Sequence, residues 1–423
     1  MMTALPLVAR FPKPDFTSGY QYPDINHGVP AEEVWNWIDI GLMVVMMSVV
    51  AWAIHRRRSR AAVFTVSIIS VIYFGFIRSG CVCSVGSIQN VALALSPLSD
   101  AGNTYHLPLV VLLVFILPLL FTLLFGRVFC AGVCPLGALQ EIVNIRNFRI
   151  SRAVTVALSI IPWIYLAFAL LYAATRSQFI ICRFDPFIGI FRMGGDWGMI
   201  VFGVLLLIMS VFIGRPFCQF LCPYGALLGV LANVSWMKIG VTKKQCINCK
   251  LCHNSCPVDA IRPPSDSKVG EDRLQGVKRL LMYAVLLPVL TVGVAWLMAS
   301  GSNTLSMANR DVYLYNMVMQ HEIHPDEEMT AEVEAFYEMG RDIGQLHDQV
   351  TEIQHYFHIF AMAAGALIGF VLGMKLINLS LKRTRRTYEI DHATCVACGK
   401  CFDYCPQNMK TKKHTNTQPH ETD

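Results

Sequence analysis

Charge is scarce in this 423-residue chain: 15% of residues are Asp, Glu, Lys or Arg, against 54% hydrophobic. With a mean hydropathy of +0.47, that balance excludes an ordinary soluble domain and fits a polytopic membrane protein. Other absences narrow the chemistry. There is no Gly-rich phosphate loop, no dinucleotide fingerprint and no hydrolase triad, so nothing points to nucleotide-dependent or hydrolytic catalysis. No basic stripe interleaves with aromatics, so the net charge of +6 is not a nucleic-acid footprint and no nucleic-acid partner is expected. No signal peptide is evident. The first residues lack a basic n-region, and Pro12 and Pro14 interrupt any early apolar run.

What the chain does have is apolar runs of membrane-crossing length. About seven, of roughly 20 residues each, lie near 37–54, 61–78, 107–125, 153–174, 197–214, 279–299 and 357–377. Cations mark alternate connections. His55 is followed by Arg56, Arg57, Arg58 and Arg60; then come Arg146, Arg149 and Arg152; then Lys238, Lys243, Lys244 and Lys250; and finally Lys382, Arg383, Arg385 and Arg386. All four groups fall on one side, which the positive-inside rule makes cytoplasmic. The loop 302–355, on the other side, carries Asp311, Glu322, Asp326, Glu327, Glu328, Glu332, Glu334, Glu338, Asp342, Asp348 and Glu352 against only Arg310 and Arg341. The expectation is a multi-pass protein of the cytoplasmic (inner) membrane with its N-terminus outside and its C-terminus inside. Trp35 and Trp37 suit an interfacial belt at the first span.

Fifteen cysteines are many for such a chain. Eight form two runs, Cys246-x2-Cys249-x2-Cys252-x3-Cys256-Pro257 and Cys395-x2-Cys398-x2-Cys401-x3-Cys405-Pro406. Each is the full bacterial ferredoxin spacing for a [4Fe–4S] cluster. Zinc sites favour paired CxxC halves with a longer gap, so the triple spacing ending in Cys-Pro argues for iron–sulfur chemistry. In two-cluster ferredoxins the fourth Cys of each run serves the other cluster. Cys246, Cys249, Cys252 and Cys405 then form one set and Cys395, Cys398, Cys401 and Cys256 the other. The alternative is two half-modules that each close their own cluster.

Four more cysteines sit in an internal duplication. Gly126-Arg127-Val128-Phe129-Cys130-Ala131-Gly132-Val133-Cys134-Pro135-Leu136-Gly137-Ala138-Leu139 matches Gly214-Arg215-Pro216-Phe217-Cys218-Gln219-Phe220-Leu221-Cys222-Pro223-Tyr224-Gly225-Ala226-Leu227 at nine of fourteen positions. Each copy follows an outside-to-inside span, so both CxxxCP loops arrive at the cytoplasmic face. A weaker echo precedes each copy on the outer side: Cys81-Val82-Cys83-Ser84 first, Cys182-Arg183-Phe184-Asp185 second. Two such units suit a pseudo-two-fold axis, as in transporter repeats. Proline just after the last Cys is at home in a first helical turn, whose free N–H groups would face a negatively charged cluster. Cys130, Cys134, Cys218 and Cys222 are therefore expected to bind one further Fe–S cluster. Cys81, Cys83 and Cys182, with Asp185 as a candidate fourth ligand, are expected to form an additional iron site nearer the outer face. The plain alternative for both sets is that they are small buried apolar residues, as free cysteines often are.

The histidine pairs His321-x2-His324 and His355-x2-His358 put imidazoles one helical turn apart. They can bind a quinone, a haem or a metal, or simply be polar residues capping the membrane. Residues 326–355 look helical and acidic, either a docking surface for a basic outer partner or a solvated face. The tail beyond Lys410 is polar and without packing signal.

The paired CxxxCPxGAL loops with ferredoxin runs resemble the NapH/NosR-type membrane polyferredoxins over roughly residues 60–262, with the last ferredoxin run matched separately. That resemblance implies cluster-ligating roles for the matched CxxxCP cysteines and the eight ferredoxin cysteines, and electron passage between the quinone pool and partner redox proteins in respiration. Two features depart from the family. Two spans and an outer loop separate the ferredoxin runs here, and the first 35 residues are too short for the outer flavin domain of the NosR branch.

The fold expected is an all-α polytopic membrane protein of about seven transmembrane helices with an internal duplication, plus a small cytoplasmic ferredoxin-like α+β module split between two segments. Its divisions are 1–35, an extracytoplasmic N-terminal segment; 36–60, the first span and basic loop; 61–235, the duplicated membrane domain; 236–278, ferredoxin-like segment 1; 279–299, a span; 300–356, the acidic outer loop; 357–378, a span; and 379–423, ferredoxin-like segment 2 and tail. The function expected is an electron-transfer subunit linking cytoplasmic [4Fe–4S] clusters to an extracytoplasmic partner or quinone, within a membrane complex and with a cytochrome, flavoprotein or ferredoxin as redox partner on one or both sides. Two other readings are a quinol dehydrogenase feeding a partner reductase, and a metal-reducing assembly factor for a respiratory enzyme.

Overall fold

Apolar sequence without water must satisfy its backbone internally, and the helix is the local solution. In the computed structural model the chain is accordingly helical almost throughout. The structure describes residues 33–407 apart from 81, 99–104, 146–147, 149, 195, 241–245, 266–272, 326–328, 381–384 and 386. Cys81, Pro12 and Pro14, the loop cations Arg146, Arg149, Lys243, Lys244, Lys382, Arg383 and Arg386, the acids Asp326, Glu327 and Glu328, and the tail from 408 lie outside the described residues.

Helix α1 (Glu33–Trp52) and helix α2 (Arg60–Ser70) each end in a π-helical turn, at Ala53–Arg57 and Val71–Ile77. A short α3 (Ser84–Ala94) follows. Then come α4 (Leu109–Phe125), α5 (Val128–Gly132) and α6 (Pro135–Val143). After α7 (Arg152–Leu158), α8 (Ile161–Ala174), α9 (Ile180–Arg183) and α10 (Ile188–Arg192), the same order recurs as α11 (Trp197–Phe212), α12 (Pro216–Phe220) and α13 (Pro223–Asn233). The rest comprises α14 (Leu251–Ser255), β1 (Ile261–Arg262), α15 (Arg273–Ser300), α16 (Ser302–Ser306), α17 (Arg310–Ile323), α18 (Ala331–Glu338), α19 (Ile343–Ser380), β2 (Glu389–Ile390) and α20 (Lys400–Asp403).

Among the described residues five helical stretches are long and apolar enough to cross a membrane: Glu33–Arg57, Arg60–Ile77, Arg152–Ala174, Leu274–Ser300 and Ile343–Leu379. The runs expected near 107–125 and 197–214 form helices of only 17 and 16 residues. The motif that follows each of them supplies the reason. Gly126 ends α4 with φ +76°, whereas α11 ends at an extended Ile213 (φ −117°) and Arg215, at φ +54°, opens α12. The chain then turns into α5 or α12 instead of continuing.

The exits of the two copies are exchanged. Ile145 and Phe148 donate their N–H groups to Val211 O (3.3 Å) and Phe212 O (2.8 Å), while Trp236 and Met237 donate to Leu123 O (2.9 Å) and Leu124 O (2.8 Å). Each copy thus satisfies carbonyls that the end of the other's helix leaves unpaired.

Helices α15 and α19 form a tight hairpin. Gly365, Gly369 and Gly373, spaced by four, lie on one stripe of α19 against the backbone of Val294–Ala295 and Leu290–Thr291 and the side chain of Leu287. Small residues of this kind allow helix backbones to approach in lipid. Gly369→Leu is expected to destabilise the protein by about 1–3 kcal/mol through overpacking, read as a lower unfolding midpoint in detergent. Gly293→Leu, at a site with nothing within 4 Å, should leave the midpoint unchanged. Beyond this hairpin α19 extends into the acidic unit, where Val312, Val318, Val333, Phe336, Leu346 and Val350 make a small separate core.

Candidate iron–sulfur centres

The two ferredoxin segments meet. β1 pairs antiparallel with β2 in the register Ile261↔Ile390 and Arg262↔Glu389, Asp391 N–H donates to Ala260 O (2.8 Å), and Arg262 pairs with Asp391 at 3.2 Å. The loops that carry the cysteines have the same backbone. Asn248 and Ala397, each two residues after a run's first Cys, take φ +53° and +56°, and Lys250 and Gly399 take φ +64° and +76°. Left-handed residues interleaved in this way turn successive N–H groups inward, the concavity that holds anions and Fe–S sites.

The structure groups the cysteines across the two segments. Cys256, Cys395, Cys398 and Cys401 line one recess with Val258, Ile261, Ile390 and Phe402. Cys252 lies within electrostatic reach of Cys246, Cys249 and Cys405. Burial pushes the Cys395 thiol up to about 12 and Cys398 to about 11.

The CxxxCP loops place Cys134 and Cys222 as N-caps of α6 and α13, with Pro135 and Pro223 in the first turn. Gly225 N–H donates to Cys222 Sγ at 3.2 Å. Cys130, Cys134, Cys218 and Cys222 all lie within mutual electrostatic reach. Gln140 ties the copies together: its Nε2 donates to Cys218 Sγ (3.7 Å) while its Oε1 accepts from Phe217 N–H (3.0 Å). A Cβ on Gly137 would stand 3.2 Å from Cys130 O and 3.5 Å from Cys218 Sγ, a close approach of the first α6 turn to both copies' cysteines.

At the outer set Cys83 caps α3 and accepts from Gly86 N–H at 3.4 Å. Cys182 Sγ would stand 3.2 Å from a Cβ on Gly86, so the two thiols flank that glycine. Asp185 is buried, and its Oδ1 accepts from Phe187 N–H at 2.9 Å, a local turn bond that explains one of its oxygens without a metal. Gln89 accepts from Ile181 N–H (3.1 Å) while its buried Nε2 has no partner among the described residues. The chain folds back here, and Cys83 and Asp185 line one recess with Cys134 and Phe129. The histidines take other neighbours: His358 Nδ1 is 3.4 Å from Ser302 Oγ, His321 packs on the Tyr337 ring and His355 on that of Tyr356, and His324 ends α17.

Among the described residues no three Cys, His, Asp or Glu side chains converge as a single ion requires. A multi-iron cluster is bulkier than an ion and keeps its thiolates apart. The surroundings fit such an anionic group. Arg127, 5% exposed, donates from Nη2 to Cys130 Sγ (3.8 Å) and from Nη1 to Ala393 O (3.0 Å), and its buried Nε has no partner among the described residues.

A buried charge network joins the second ferredoxin run to the duplicated core. Arg215, 0% exposed, donates from Nη1 to Cys130 O, from Nη2 to Ala131 O (3.1 Å) and from Nε to Glu141 Oε2 (3.2 Å). Glu141 Oε1 also meets Lys400 Nζ (3.2 Å) and Arg60 Nη2 (3.5 Å). Lys400 donates to Asn144 Oδ1 at 2.7 Å. Burial raises the Glu141 carboxyl, but the cations of Arg215, Lys400 and Arg60 outweigh it and hold the group below its ordinary value. Apart from Arg60, counted among the basic-loop cations, sequence reasoning gave none of these residues a role. Arg127 and Arg215 had a signal, being matched in both copies of the repeat, and Lys400 lies inside a ferredoxin run; Gln140 and Glu141 had none.

A 4Fe-4S binding domain model matches residues 107–153 and again 196–242, and a second 4Fe-4S binding domain model matches 239–262 and 388–411. An uncharacterized protein of Methanocaldococcus jannaschii is 30% identical over 196 residues, 44% of this chain and 77% of its own. The regulatory protein NosR of Pseudomonas aeruginosa is 32% identical over 165 residues, 35% of this chain and 23% of its own. The ferredoxin-type protein NapH of Escherichia coli is 29% identical over 160 residues, 36% of this chain and 55% of its own. The chain thus spans under a quarter of NosR and about half of NapH. No solved structure matches.

Apolar crossing helices, ferredoxin loops and paired CxxxCP loops define a membrane-type iron–sulfur electron-transfer protein. The chain belongs to the NapH/NosR-type membrane polyferredoxins.

Proposed function

We propose that this chain is a transmembrane electron conduit, a subunit of a respiratory electron-transfer complex that links the cytoplasm to an extracytoplasmic partner or the quinone pool. The basic connections, including Arg56, Arg57, Arg58 and Lys238, put the ferredoxin unit in the cytoplasm and the acidic helices outside. Cys246, Cys249, Cys252 and Cys405 hold one [4Fe–4S] cluster, Cys256, Cys395, Cys398 and Cys401 a second, and Cys130, Cys134, Cys218 and Cys222 a third. Cys81, Cys83, Cys182 and Asp185 provide a further iron site. Bound clusters of this type supply one-electron steps over a wide range of potentials. The protein's own groups hold the thiolates apart, exclude water and offset their charge.

One observation carries this reading: the cysteine sets adjoin. The Cys398–Lys400 loop packs on Glu141 beside the CxxxCP pair, and Cys134 shares a recess with Cys83 and Asp185. A hydrocarbon core of about 30 Å is too thick for one efficient electron step, and adjoining centres divide it. The exchanged exits of the two copies support a two-fold relation between the CxxxCP loops, with the third set between them.

Iron analysis tests the proposal. Cys130→Ser and Cys222→Ser should each lose iron equivalent to one cluster while two ferredoxin-type signals persist in electron paramagnetic resonance (EPR). Unchanged iron per chain in both variants would overturn the membrane cluster.

A further inference from the structure

The arginine of each Gly-Arg-x-Phe-Cys motif is matched in the two copies of the repeat and is not a cluster ligand. Resting on the cluster assignments above, we infer that Arg127 and Arg215 form a fixed cationic seam shared by the CxxxCP set and the Cys256/Cys395/Cys398/Cys401 set, which makes the latter the cytoplasmic centre that exchanges electrons directly with the membrane.

Both side chains span the two sets. Arg127 reaches Cys130 Sγ with one guanidinium nitrogen and Ala393 O, two residues before Cys395, with another. Arg215 is wedged against the Cys130 and Ala131 carbonyls and is bound through Glu141 to Lys400, which lies between Cys398 and Cys401. The backbone closes the same seam: a Cβ on Gly229 would stand 3.0 Å from Ala393 O, and one on Gly214 would strike Pro257, next to Cys256. Cys246 and Cys249 are not party to these contacts, and Cys249 is exposed. That set is the distal one, open to a soluble partner.

A guanidinium cannot lose its charge in a protein. Buried in low dielectric between two centres, it stabilises whichever carries the extra electron. Reduction of either centre adds one negative charge, so the seam makes both easier to reduce. The first ferredoxin set, on the far side of the recess, feels it least.

The test is an EPR-monitored redox titration of the full chain in detergent, with iron counted per chain. Signals are assigned by Cys222→Ser, Cys398→Ser and Cys249→Ser. Arg127→Gln should lower the potentials of the centres lost in Cys222→Ser and Cys398→Ser, each about tenfold harder to reduce, equivalent to about 59 mV for one electron. The centre lost in Cys249→Ser should not move, and Arg127→Lys should restore most of the shift. Arg215→Gln should act alike; if it loses iron, Arg127→Gln and Arg127→Lys decide the matter. Equal shifts in all three centres, or none, would overturn the seam. If Cys222→Ser removes no signal, the membrane-cluster assignment has failed separately, and the shift of the Cys398 centre relative to the Cys249 centre still judges the seam.

Discussion

Glu141→Leu is expected to destabilise the protein by about 3–5 kcal/mol, the usual cost of removing one member of a buried ionic group. The carboxylate is the sole anion in contact with Arg215, Lys400 and Arg60 among the ion pairs of the described residues. Arg215 is fully buried and Lys400 is 7% exposed, so neither can turn to water when Glu141 is lost. Their remaining partners are the neutral carbonyls of Cys130 and Ala131 and the amide of Asn144. The damage should appear first where the second ferredoxin run docks, as faster proteolysis of the segment after α19 and a lower unfolding midpoint in detergent. Glu141→Leu combined with Lys400→Met should recover part of the loss, because the two residues act as one unit. A midpoint change worth under about 1 kcal/mol would mean that the network is not held as this geometry requires.

Cys256→Ser gives the second large effect, on a cluster whose other ligands lie in a different part of the chain. It should abolish the EPR signal that Cys398→Ser abolishes and spare the one that Cys249→Ser abolishes. Cys405→Ser should do the reverse. The ground is the recess that Cys256 shares with Cys395, Cys398 and Cys401. Two half-modules that each close their own cluster would give the opposite pattern, and that result would rule out the exchange. If the two proposed ligand sets interlock, losing either fourth cysteine should also loosen the β1–β2 pairing, seen as faster amide exchange at Ile261 and Ile390.

Spacing alone identified the ferredoxin runs, because a tetrathiolate site forces a fixed separation of cysteines along the chain. Hydropathy located the apolar helices, because lipid leaves the backbone no other partner. Periodicity did not foresee that α4 and α11 stop short, since that depends on Gly126 taking a positive φ and Ile213 an extended backbone. The apolar run near 357–377 hid a glycine stripe whose purpose is visible only against α15. The acidic loop was legible as charge and as helix, but not as a separate core around Phe336 and Leu346.

The sequence by itself determined the chemistry: which residues carry thiols, in what groups, and that they sit in a membrane-type chain, all of which follow from short-range spacing and composition. Only the tertiary structure decided how the groups adjoin. It set Cys256 with the second run, turned the outer cysteine loop back toward Cys134, and buried Arg215, Glu141 and Lys400 together. Those contacts join residues up to hundreds of positions apart, and their energy depends on a low-dielectric interior that exists only once the whole chain has packed.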